Sequence, residues 1–71
     1  MMISKEKLSE ILAKYKVDQM LAYKMRQIHE DCLNDRFNID YFVGFVKGLF
    51  FAGVLDPVVV NDIAVSMVLG E

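Results

Sequence analysis

The sequence predicts an all-α fold, a small bundle of four helices, or three with the first one bent. Three observations carry this. Apolar residues recur at helical spacing through the first half of the chain. Side chains that cap helices stand at each joint: Ser4, Asp18, Asn38 or Asp40, and Asp56 before Pro57. The chain has only 71 residues and shows no internal repeat, linker or low-complexity tract, so one helical domain over 1–71 is expected.

The first helix is expected to start at Ser4. Ile3 before the cap and Leu8 four positions into the helix have the spacing of a hydrophobic staple. Leu8, Ile11, Leu12 and Tyr15 form its apolar stripe, with Lys5, Lys7, Glu10 and Lys14 on the wet side. Lys14 and Lys16 suit the negative end of the helix dipole.

A second stripe follows as Val17, Leu21, Met25, Ile28 and Cys32. On one continuous helix it would be roughly 130° out of phase with the first, at about 100° per residue. The chain is therefore expected to break near Lys16 and Val17, with Asp18 capping the new helix. No Gly or Pro enforces that break, so one bent helix from Lys5 to Leu33 is the alternative. The segment NDRFN, residues 34–38, collects turn formers and leads into a third helix.

That third helix, within YFVGFVKGLFFAGV (41–54), has Lys47 as its only charge. Phe42, Phe45, Leu49 and Ala52 fall on one side, with Tyr41 and Val46 flanking, and are assigned to the core. Val43, Phe50, Phe51 and Val54 fall with Lys47 on the side that a soluble monomer would make polar. Gly44 and Gly48 have GxxxG spacing, which lets another backbone approach, although each glycine costs a helix roughly 1 kcal/mol relative to Ala. The run from Tyr41 to Leu55 is shorter than the roughly 20 residues a bilayer core needs, so no membrane is expected as a partner.

Gly53 is placed to end helix three, and Asp56-Pro57 to begin a fourth over Pro57–Leu69. Val60, Ile63, Ala64 and Met67 share one of its sides; Val58, Val65 and Leu69 occupy another. The β-branched run also permits a hairpin, VVV-ND-IAV, but the cap and the length favour a helix.

With 55% hydrophobic residues, the chain holds more apolar material than one small core hides. The surplus collects in the C-terminal helices, which gives a candidate interface of Val43, Gly44, Phe50, Phe51, Val54, Val58, Val65 and Leu69. The expected partner is another copy, most simply in a two-fold dimer, beside an unidentified second protein.

No catalytic, cofactor-binding or metal-binding residues are assigned. His29 and Cys32 are three apart on a helix, with Asp35 nearby, but zinc takes about four such ligands and the chain has one His and one Cys. The expected reading is a buried thiol and an imidazole at the core's margin. As nucleophile and base, the same pair lacks an orienting third group. Glu30, Asp31 and Asp35 read as a solvated helix end, and Gly44 and Gly48 lie inside a helix and make no phosphate loop.

Net charge is −2, and seven of the eight cations precede Asn38. The C-terminal half is thus poorly suited to phosphate. Only Lys14, Lys16, Lys24 and Arg26 offer a basic face, diluted by Glu6, Glu10 and Glu30. The reading is a small non-enzymatic interaction module acting as a regulator, inhibitor or adaptor. A dimeric helix-turn-helix-like DNA-binding regulator is the alternative. A single cysteine and an N-terminus without a secretory layout lead to the expectation of a cytoplasmic setting.

Overall fold

The computed structural model describes residues 2–71. They form four helices: α1 (Lys5–Lys14), α2 (Gln19–Leu33), α3 (Ile39–Phe51) and α4 (Pro57–Leu69). The helices close a ring in chain order. α1 packs on α2 and α4, α3 packs on α2 and α4, and the α3–α4 seam is the sparsest.

Each helix begins on a side-chain cap. Lys7 N donates to Ser4 Oγ at 3.0 Å and Leu21 N to Asp18 Oδ2 at 3.1 Å. Asn38, and not Asp40, caps α3, its Oδ1 accepting from Asp40 N at 2.9 Å. Asp56 Oδ1 accepts from Val58 N at 3.0 Å, with Pro57 at the first helical position, so the valine-rich segment is a helix and the hairpin does not form.

Each helix also ends the same way. A residue in the left-handed region follows the last turn, at Lys16, Asp35, Gly53 and Gly70, with φ of 52°, 62°, 74° and 73°. The next amide then donates back to the last turn: Val17 to Leu12 O, Arg36 to Asp31 O, Val54 to Leu49 O and Glu71 to Ser66 O, at 2.9–3.0 Å. This is the Schellman arrangement, and it satisfies carbonyls that a helix end otherwise leaves open. It also settles the α1–α2 junction. The chain breaks at Lys16 without a glycine, so a single bent helix is excluded.

Ile3, Leu8, Ile11, Leu12, Ala22, Met25, Cys32, Phe42, Val46, Leu55, Val59 and Ile63 form the core. Four assignments from the sequence shift. In α2 the buried line is Ala22, Met25, His29 and Cys32, while Val17, Leu21 and Ile28 are half-buried. In α3, Phe42 and Val46 are buried, Phe45 and Leu49 half-buried, and Ala52 exposed. In α4, Val59, Ile63 and Ser66 turn inward, whereas Val60 and Met67 are half-buried and Ala64 is exposed. His29 is not marginal but 1% exposed. In α2, α3 and α4 the inward line lies beside the stripe assigned from sequence, whereas in α1 the assigned Leu8, Ile11 and Leu12 are themselves the buried line.

Candidate functional site

The chain's surface is apolar where a lone subunit would be expected to carry charge. Of the eleven large hydrophobic residues left exposed among the described residues, seven lie between residues 50 and 69: Phe50, Phe51, Val54, Val58, Val65, Val68 and Leu69. Phe51 is the extreme, at 79% exposure. Between Lys47 and Glu71 the only charged residues are Asp56 and Asp62. Asp56 caps α4. Asp62 accepts a hydrogen bond from the Tyr15 hydroxyl and lies 4.0 Å from Lys14 Nζ. That hydrogen bond is the main reason the Tyr15 phenol titrates above its ordinary value of 10.0.

Of the eight residues assigned to an interface from sequence, Gly44, Phe50, Phe51, Val54, Val58, Val65 and Leu69 are exposed and Val43 is half-buried. Val43 and Lys47 sit on the wall of a groove of about 80 Å³ along the α3–α4 seam, otherwise lined by the apolar Phe42, Val46, Val60, Ile63, Ala64 and Met67. Phe50, at 37% exposure, stands at the rim between core and solvent. The sequence reading missed Val68, which is 67% exposed and lies one turn beyond Val65 on the same side of α4. It also missed Phe37, and Tyr41, assigned to flank the core side of α3, is instead exposed; the two stand at the start of α3 with ring centroids 4.6 Å apart in edge-to-face contact.

Gly44 and Gly48 are both exposed, and a Cβ added to either would meet nothing within 4 Å. No helix of this subunit uses the clearance they provide. The helix therefore carries their propensity cost with no offsetting contact inside the subunit.

His29 and Cys32 each have a structural partner. Nε2 of His29 lies 2.8 Å from the carbonyl of Ile3. A carbonyl only accepts, so Nε2 carries the proton, and the imidazole pins the segment before α1 onto α2. The ring also packs against Phe42, with centroids 5.1 Å apart. Burial lowers its pKa from the ordinary 6.5, partly opposed by the Ile3 bond. The Cys32 thiol donates to the Asn38 carbonyl at 3.4 Å, which ties the end of α2 to the start of α3. Among the described residues no three His, Cys, Asp or Glu side chains come together in a metal-binding group.

At the end of α2, Asp31 pairs with Arg36 at 3.3 Å and Glu30 lies 3.7 Å from Lys5. Lys7 lies 3.6 Å from both Glu10 and Glu71. Lys5, Lys7, Lys14 and Arg36 thus have carboxylates beside them. Lys16 and Arg26 line a cleft of about 560 Å³ between α1 and α2, together with Gln19 and Tyr23.

No protein-family model matches the chain, and neither a curated protein nor a solved structure matches it significantly.

Proposed function

We propose that the chain is a non-enzymatic protein-interaction module that self-associates through α3 and α4, most simply as a two-fold dimer. In this reading it acts as a regulator, inhibitor or adaptor of another protein. The observation carrying it is the concentration of exposed apolar side chains from Phe50 to Leu69, in a stretch with almost no charge. Scattered exposed hydrophobic residues are ordinary on a soluble protein, whereas their concentration within one short stretch supports an interaction surface. The charged side of α1 and α2, with the ion pairs Lys5–Glu30 and Asp31–Arg36, stays free for the second protein.

The test replaces Phe50 and Phe51 together with Asp. The expected outcome is a helical, cooperatively folding chain that no longer assembles. Unfolding of the double variant would instead place these rings in the core and remove the argument. Tyr23→Asp, on the exposed side of α2, serves as the control that leaves assembly intact.

A DNA-binding reading draws its support from the α1–α2 cleft, where Lys16 and Arg26 meet Gln19 and Tyr23. It requires salt-sensitive retention on duplex DNA, with log affinity falling linearly in log salt.

A further inference from the structure

The outward line of α3 runs Asp40, Gly44, Lys47, Phe51, at spacings of four, three and four residues. Seven residues fall only about 20° short of two full turns, so this line stays nearly straight along the helix. All four residues are exposed, and neither Asp40 nor Lys47 has an ion-pair partner among the described residues. Aromatic rings stand at both ends. Phe37 and Tyr41 are at the N-terminal end, and Phe50 and Phe51, with centroids 5.4 Å apart, are at the other.

We propose that a second copy of the chain covers this face, its α3 lying antiparallel to the first about a two-fold axis beside Gly44. The arrangement rests on the self-association proposed above and specifies its partner helix, direction and register.

Charge selects the direction. In a parallel pair, Asp40 faces Asp40 and Lys47 faces Lys47. An antiparallel pair whose axis passes between Val43 and Gly44 sets each Asp40 opposite the other copy's Lys47, twice over. The aromatics select the same register independently. Phe37 lies three residues before Asp40 and Phe50 three after Lys47, so the rotation that matches the charges also brings each Phe37 opposite the Phe50–Phe51 pair. At the axis, Gly44 has no Cβ and open space above it, so the two backbones can approach closely. Matched charges fix register and exclude wrong pairings more than they add affinity, which comes here from the rings.

The test uses two variants, Lys47→Asp and Asp40→Lys, and their equimolar mixture, read by native mass spectrometry and sedimentation at low salt. Each variant alone presents like charges across the axis, and its dissociation constant is expected to rise about tenfold or more. The mixture is expected to recover assembly, with one chain of each kind per particle. A mixture no tighter than its components, or single variants that assemble like the natural chain, overturns the arrangement.

Asp40→Lys also puts a cation in the first turn of α3, where the dipole disfavours it. Gly44→Cys provides a readout that does not depend on that helix end. Under oxidised glutathione it is expected to cross-link into dimers, since the two copies of residue 44 lie next to the axis, offset by a single residue, whereas the natural chain, whose Cys32 is buried, is not. Absence of cross-linking in an assembled Gly44→Cys protein overturns the register. If the natural chain assembles and is dissociated by Val65→Asp or Leu69→Asp but not by Lys47→Asp, self-association stands and the α3 arrangement falls. A natural chain that stays monomeric defeats both.

Discussion

Replacing Gly44 and Gly48 with Ala should strengthen the subunit and weaken the assembly, and the two effects can be measured apart. Both glycines lie inside α3 with negative φ, and a methyl group on either meets no atom within 4 Å. The substitutions therefore introduce no clash within the subunit. They remove a helix-propensity penalty of roughly 0.5–1 kcal/mol each, so the pair should stabilise the subunit by about 1–2 kcal/mol. In a domain of this size about 1 kcal/mol moves the melting temperature by roughly 4–8 °C. Because assembly itself raises apparent stability, the melt belongs in the Phe50→Asp/Phe51→Asp background, where the chain is expected to be monomeric. Sedimentation of the double alanine variant without those aspartates should then show weaker association, since the methyl groups push the second helix outward. A double variant less stable as a monomer would contradict the open space seen around α3. Unchanged or tighter association would show that no second backbone lies against these glycines.

Other positions give independent checks. Phe42→Ala, which empties a fully buried ring position, should cost about 3–5 kcal/mol in urea unfolding, whereas Phe51→Ala should change monomer stability by less than about 0.5 kcal/mol. Equal costs would mean that α3 is rotated from its assigned phase. Lys16→Gly relieves a left-handed backbone at a lysine and should stabilise by roughly 1 kcal/mol in the same assay, while a loss would argue that α1 and α2 are continuous. Burial holds the folded-state pKa of His29 below its ordinary 6.5, so its neutral form is the one the fold accommodates. Its contribution is therefore fully present above the unfolded value, erodes as pH falls through 6.5, and levels off below the folded value. Urea midpoints from pH 8 to pH 5 should fall more for the natural chain than for His29→Gln, and parallel curves would refute the assignment.

The helix boundaries were legible because their determinants are local. Ser4, Asp18 and Asp56-Pro57 each satisfy backbone donors within three residues of themselves, so no tertiary information was needed to place them. The break at Lys16 was legible only through the phase conflict between two stripes, since a lysine gives no composition signal for a left-handed residue. Inward and outward faces were less readable. A residue such as Val59 turns inward because α4 meets both α1 and α3, and a single-stripe reading prefers Val60 and Ala64. His29 looked marginal for the same reason, and its bond to Ile3 joins residues 26 apart in sequence, a contact no helical periodicity encodes. Within the candidate interface, Phe51, Val54, Val58, Val65 and Leu69 stood out because they are apolar wherever the helices are turned. Phe37 was missed and Tyr41 was placed beside the core because their exposure depends on how the α2–α3 turn is folded.

The most direct measurement is the mass of the natural chain in solution at micromolar concentration, by sedimentation equilibrium with the protein folded and at neutral pH. The account predicts a concentration-dependent species of twice the 8.1 kDa chain mass. A single 8.1 kDa species at every concentration up to the solubility limit would contradict it, because Phe51, Val58, Val65, Val68 and Leu69 would then be content in water.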